Sequence, residues 1–442
     1  MLTSVLRESK ETLKARNTLL VVKTRNSLQV QRTARVYDGS VMKTVAAFGM
    51  ALLALAACMS SSTHPPLRET QSGVPPVNKP NDTALVQAGK HVFRFDTFGD
   101  ERFWTDTAHL NDVIQDEVSP TVALSVGLKV DAGALPSRLL AALRAGQVDL
   151  NSPATTVALI KLGAVVGVIG NVDDHGNLRS VGISCALCHS TVNNSVAPGI
   201  GLRLDGWPNR DLNPGAIIAL SPAIPPAQKA VYNSWGPGKY DPRFNIDHIN
   251  GPVLIPPAYG LADVPLETYS GDGPIPYWND YVAVTQMHAL GNFSDPRLGP
   301  AYTFTSRVDL VTPKLPALHA YEESLTKPSP PPVNDQAAVA RGQALFMGMA
   351  RCSSCHTPPT FTDVAVRLHP PNVIGTDPTY ALRSATKMYR TTPLRALALH
   401  PPYFHDGSAA TLSDVVNHYN TFFSLGLTPQ QKSDLVQYLR TL

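Results

Sequence analysis

Residues 335–356 read DQAAVARGQALFMGMARCSSCH, and the run closes on Cys352, Cys355 and His356. An upstream stretch, Cys185-Ala186-Leu187-Cys188-His189, repeats the same CxxCH spacing. Two cysteines three apart on one turn can each form a thioether with a haem vinyl group. The adjacent histidine is then held beneath the iron as a ligand. One CxxCH arises by chance in roughly one chain in a thousand of this length, so two together are much stronger evidence.

Two other uses of CxxC compete with this reading. A thioredoxin-like redox pair needs a βαβ context that the sequence lacks, and zinc would need further Cys or His ligands at matching spacing. The fifth cysteine, Cys58, lies far upstream, so the remaining four fall into the two CxxC pairs and leave no thiol for a disulfide framework.

Outward from the second motif the chain is legible. Asp335 caps a helix predicted to run to about Ala350, with Val339, Gly342 and Phe346 on one face and Gly342 allowing another helix to cross closely. Thr428-Pro429 opens a final helix carrying Leu435, Val436, Leu439 and Leu442 at helical spacing, with proline preorganised for the first helical position. Two terminal helices bracketing a CxxCH resemble the cytochrome c fold, in which they cross and close the haem pocket. The fold class expected is therefore mainly α and loop-rich, with two cytochrome c-like haem domains, the first enlarged by long insertions.

Composition agrees. Proline is frequent, 39 in 442 residues, which favours irregular connections. The net charge of +3 belongs to the N-terminus, where the first 43 residues hold nine Lys/Arg against three Asp/Glu. The rest is weakly acidic, with no basic stripe, which argues against a nucleic-acid partner. After Lys43, an apolar run from Val45 to Ala57 ends in Leu55-Ala56-Ala57-Cys58, which reads as a signal peptide with a lipobox. Cys58 would then carry a lipid anchor to a bacterial membrane. The alternative is ordinary signal cleavage near Ala56. Met42 is the expected true start, so residues 1–58 are read as an over-called start plus a lipoprotein-type signal, and 59–87 as a flexible tether.

The expected N-terminal haem domain spans 88–324, a Pro-rich linker 325–334, and the C-terminal cytochrome c domain 335–442. Within the first, residues 136–146 and 152–163 look helical, and Val165–Ile169 pairs with Leu178–Ile183 around a turn at Asp173-Asp174-His175-Gly176-Asn177. Residues 197–312, rich in Gly, Pro, Asn and Asp, read as loops around the haem edge.

The segments Tyr389-Arg390-Thr391-Thr392-Pro393-Leu394-Arg395, Pro402-Tyr403-Phe404-His405-Asp406-Gly407-Ser408 and Thr411-Leu412 to His418-Tyr419-Asn420 resemble the C-terminal haem domain of bacterial di-haem cytochrome c peroxidases and MauG-type enzymes. The first half resembles them only in outline. The resemblance implies a sixth ligand for the second haem on the helix after the His-Asp-Gly turn: Met in peroxidases, Tyr in MauG-type enzymes. Tyr419 stands at that position, with His418, His405 and Met388 as rivals. It also implies a tryptophan relay between the haems, for which Trp278 is the candidate, and a Gln and a Glu over the open haem. Gln286 could be the first. No Glu occurs between Glu267 and Glu322, which leaves Asp295 or His288 as substitutes. A calcium ion between the domains is a further implication, without an assignable ligand set.

The function so expected is an exported, periplasmic di-haem oxidoreductase. The haem on His189 would react with hydrogen peroxide or a similar small oxidant, and the haem on His356 would relay electrons from a small redox protein or a quinol-linked donor. For the open position, Met287, His248 and His288 are possible occupants. A di-haem electron carrier without catalysis is the alternative, and a di-haem oxygenase a third reading.

Overall fold

The computed structural model describes residues 83–442. The proposed signal, the Cys58 anchor and all but the last residues of the proposed tether lie outside them. The described chain is helix-rich with five two-stranded sheets. No helix among the described residues is long and apolar enough to cross a membrane.

The C-terminal stretch forms as read. Asp335 accepts a hydrogen bond from the Ala338 amide and caps the helix Gln336–Met347, which stops short of Ala350 because Gly348 leaves the helical backbone. Thr428 and Gln431 form a capping box on the helix Pro429–Leu439. The two helices cross at Gly342, where a Cβ would lie 2.1 Å from the Asp434 carbonyl oxygen. Arg341 clamps the Asp434 carboxylate through two bonds of 2.8 Å, and the Phe346 ring meets Tyr438 edge-on at 5.3 Å.

That crossing occurs twice. The helix Thr83–Phe95 begins inside the stretch expected to be tether and packs on the helix Leu315–Ser324. At Gly89 a Cβ would lie 1.8 Å from the Ala317 carbonyl oxygen, and Phe93 meets Tyr321 edge-on at 5.4 Å. Gly89 and Phe93 are spaced as Gly342 and Phe346 are, and Ala317 and Tyr321 as Asp434 and Tyr438. The sequence therefore holds a repeat beyond its two CxxCH motifs. Glycine in a helix interior costs roughly 1 kcal/mol against alanine, a cost accepted here for backbone contact. Gly342→Val is expected to destabilise the holoprotein by about 3 kcal/mol, as in overpacked cores, measured as a lower guanidinium midpoint.

Between the first helix and its CxxCH the chain inserts residues 96–184. The helices Ser137–Arg144 and Pro153–Lys161 match the expectation. The hairpin forms, but its first strand is Val168–Val172 rather than Val165–Ile169. Val165 instead bridges Val130, and Gly167, at φ +73°, turns the chain before the strand starts. Nor is 197–312 loop throughout. Pro214–Leu220, Pro226–Asn233 and Ile275–Thr285 are helices, each with proline in its first turn.

Earlier and later parts of the chain are joined by buried charge. Arg383 binds Asp241 and Asp247 at 2.9 and 2.8 Å, and the fully buried Arg243 binds Asp272 at 2.7 Å. A buried guanidinium needs such carboxylates to offset its desolvation.

Candidate functional site

Each CxxCH segment is a tight turn tied down by backbone bonds. In the first, the Gly206 amide donates to the His189 carbonyl (2.8 Å) and the Asn209 amide to that of Cys188 (2.9 Å). In the second, the His356 amide donates to the Cys352 carbonyl (2.9 Å), and Arg367 to that of Ser354 (2.6 Å). All four cysteines are free of disulfides.

The two histidines share one feature. Nδ1 of His189 lies 3.1 Å from the Pro256 carbonyl oxygen, and Nδ1 of His356 lies 3.0 Å from that of Phe361. A carbonyl can only accept, so each Nδ1 carries the proton and each Nε2 keeps its lone pair. That is the tautomer and orientation of a metal-ligating imidazole. Burial lowers both pKa values, that of His189 to about 4, which keeps the rings neutral.

Beside the second segment lies a cavity of about 570 Å³. Cys352, Cys355, His356 and Phe346 form part of its wall, Tyr419 another. Arg210 and Arg390 also line it, and Nε and Nη1 of Arg210 and Nε of Arg390 are buried without a hydrogen-bond partner. An apolar slot with paired thiols, a poised imidazole and orphaned cationic donors fits a haem, whose two carboxylates would satisfy the guanidiniums. At the first segment the fit rests on the donor set, two free thiols on the turn and the free Nε2 of His189.

The candidate sixth ligands separate by position. Tyr419 and His405 line the cavity, whereas His418 and Met388 do not. His405 Nε2 is already hydrogen-bonded to the Tyr389 hydroxyl at 3.0 Å. The His418 ring stacks on Phe422 and its Nε2 lies 3.4 Å from the Ile374 carbonyl oxygen. Of the candidates for the first segment, His248 is exposed, and Met287 is buried in the core around Trp278.

Trp278 is buried in the cluster against which Cys185 packs, and its Nε1 donates to the Glu267 carbonyl at 3.0 Å. The Glu267 side chain pairs with Arg390 at 2.8 Å, and both line the cavity of the second segment. Trp278 thus has contacts leading to each CxxCH. Gln286 is buried, accepts from the Tyr240 hydroxyl at 2.9 Å and donates to Thr285 at 2.8 Å. Tyr240 in turn is within electrostatic reach of Cys188. The His288 ring stacks on Phe103 at 3.5 Å, and burial lowers its pKa to about 4. Asp295 is bound to Arg297 and Tyr277.

The sequence reading missed Arg210, Arg390, Tyr240 and Glu322. Glu322 is buried, within electrostatic reach of Cys185, and accepts from Asn279 Nδ2 at 2.6 Å. Arg210, Tyr240 and Glu322 are charged or polar residues in a loop, a strand and a helix with no motif around them, and Arg390 stands inside the Tyr389–Arg395 segment, where the resemblance assigned it no role. Only the position of Glu322, four residues before Thr326 and the Pro-rich run, hinted at a place on a packed helix.

No family model matches the chain. Among curated proteins it is similar to the methylamine utilization protein MauG of Methylorubrum extorquens, 33% identical over 25% of this chain and 37% of that one. It is also similar to the cytochrome-c peroxidase IdrP1 of Denitromonas iodatirespirans, 28% identical over 24% of this chain and 42% of that one. The chain thus covers about two-fifths of the length of each. Among solved structures, a MauG-like protein associated with microbial copper homeostasis overlays with a TM-score of 0.30 at 19% identity, covering 44% of this chain and 74% of that one. Paired CxxCH turns with ligand-type histidines fit the donor set of a c-type haem site. The chain is a relative of MauG and of cytochrome-c peroxidases, as its C-terminal motifs suggested.

Proposed function

We propose that this chain is an exported, periplasmic di-haem c-type oxidoreductase of the peroxidase and MauG kind, lipid-anchored through Cys58. The observation that carries the reading is the matched pair of histidines, each with Nδ1 committed to a backbone carbonyl and Nε2 free. A c-type haem, when bound, supplies a one-electron centre and, where its sixth position is open, a place to reduce a peroxide.

The protein's residues divide the labour. His189 would hold the iron of the first haem, and Gln286, anchored by Tyr240 and Thr285, keeps a polar group near that segment. Tyr419 would supply a further protein ligand at the second site. Trp278 links the two, its indole fixed by Glu267 and its ring set in the core against Cys185. Glu322, rather than Asp295 or His288, is the interior acid near the first segment. Hydrogen peroxide or a similar small oxidant is the substrate, and a small redox protein or a quinol-linked donor the source of electrons. A calcium ion stays an implication of the family resemblance without an assigned ligand set; Asp241, Asp247 and Asp272 are already paired with Arg243 and Arg383.

Optical and EPR spectra of the mature protein, followed by stopped-flow mixing with peroxide, test this. A high-spin ferric component that disappears on peroxide addition is expected. In Tyr419→Phe a second high-spin component should appear and bind cyanide. Two low-spin haems inert to cyanide and peroxide would overturn the reading in favour of an electron carrier.

A further inference from the structure

Trp278 has two tyrosine neighbours on its own helix, and they are not equivalent. The rings of Tyr277 and Tyr281 lie 5.6 and 5.4 Å from the indole, both edge-on. Tyr281 is fully buried and donates its hydroxyl hydrogen to the Pro242 carbonyl at 2.6 Å. A carbonyl is too weak a base to keep that proton.

Tyr277 instead donates to a carboxylate, Asp295 Oδ2, at 2.7 Å. Arg297 clamps the same carboxylate, Nε to Oδ1 at 2.9 Å and Nη2 to Oδ2 at 2.7 Å. Its guanidinium carbon also lies 5.7 Å from the centre of the Tyr277 ring. Burial pushes the Asp295 pKa up, but the hydrogen bonds from Arg297 and Tyr277 outweigh it and keep the group ionised. The Asp295 side chain is 4% exposed and that of Arg297 41%, so the path runs from a buried indole through a half-buried phenol to a buried carboxylate whose guanidinium partner reaches the surface.

We propose that Tyr277 is a second redox relay, branching from Trp278 toward the surface, with Asp295 as the acceptor of its phenolic proton. Removing an electron from a phenol makes it a strong acid, so the step is accessible only where a base takes the proton at once. The balance is simple. Reducing one hydrogen peroxide, the terminal oxidant, to two waters takes two electrons and two protons; the redox-protein or quinol-linked donor of the proposed function supplies one electron and Trp278 the other, which leaves Trp278 one electron short. Trp278 takes one electron from Tyr277, and the phenolic O–H bond breaks as the proton moves to Asp295 Oδ2. An external one-electron reductant then returns an electron to Tyr277, and the proton moves back. The inference rests on the function proposed above and adds to it a surface-directed outlet for oxidising equivalents.

Freeze-quench EPR of the full-length holoprotein after peroxide addition, with ring-deuterated tyrosine, tests it. An organic radical signal that narrows on deuteration is expected in the wild type and in Tyr281→Phe. It should be lost in Tyr277→Phe and strongly reduced in Asp295→Asn, with haem absorbance confirming that each variant is folded. A tyrosine signal of unchanged yield in Tyr277→Phe, or one lost in Tyr281→Phe instead, overturns the assignment. An unchanged yield in Asp295→Asn overturns the role of the carboxylate. Peroxide-induced change in wild-type haem absorbance reports the proposed function separately. If it occurs without any tyrosine signal, the relay alone fails; if it is absent, both fail.

Discussion

With Cys352 and Cys355 both replaced by alanine, the purified protein is expected to weigh one haem less and to lose the cooperative fold of its C-terminal stretch. The second effect follows from the cavity. Without a haem, about 570 Å³ beside Phe346, Leu412, Leu435 and Leu439 is left to water, and these side chains forfeit apolar burial worth roughly 25 cal/mol per Å². A stretch that loses several such contacts loses a large share of a typical domain's stability, about 5–15 kcal/mol. The Gly342 crossing stands on the same residues, so it should loosen with them. Intact mass and near-UV circular dichroism, compared with the wild type, report the two effects. The matching Cys185→Ala, Cys188→Ala variant should lose the other haem. A double variant whose mass still includes two haems would show that the thioethers lie elsewhere.

What could be read in advance depended on how close in sequence the interacting parts lie. The cap at Asp335, the crossing glycine and the second CxxCH fall within 335–356, so one local reading captured them together. The first half holds the same crossing, but Gly89 meets Ala317 across more than half the chain, with the CxxCH separated from its helix by the 96–184 insertion. Only the Gly-x-x-x-Phe spacing could have revealed it. Prolines misled in a similar way. Pro276 in Ile275–Thr285 lies in a first turn, where its missing amide costs nothing, so the helix bearing Trp278 was hidden in a stretch read as loop. Of the proposed site, the CxxCH residues were legible because covalent haem attachment would fix both residue type and spacing. The arginines facing the cavity were not, because any exposed loop arginine looks the same until the fold buries it.

Glu322→Gln is expected to make the protein more stable and less active. The Glu322 carboxyl has one partner, Asn279, and no cation beside it. Burial, aided by the charge of Glu267, raises its pKa from the ordinary 4.5 to about 8. Between those values the native carboxyl keeps its proton while the unfolded chain releases it. The unfolded state then binds fewer protons, so stability falls as pH rises, by up to about 1.4 kcal/mol per pH unit. Below pH 4.5 both states are protonated and the penalty vanishes; above pH 8 both are ionised and it is complete. Near pH 7 it amounts to about 3 kcal/mol, an order-of-magnitude figure. Glutamine keeps an oxygen for Asn279 and never ionises. Its variant should therefore match the wild type near pH 4.5 and exceed it increasingly toward pH 8, measured by guanidinium unfolding of the holoprotein. A gap that does not widen with pH would mean that Glu322 is ionised in the native state. Reducing a peroxide to water consumes protons, and a neutral acid near the Cys185 segment holds one at a buried position. On the proposed function, the stabilised variant should turn peroxide over more slowly, the opposition expected where a buried titratable group is kept for its chemistry rather than for the fold.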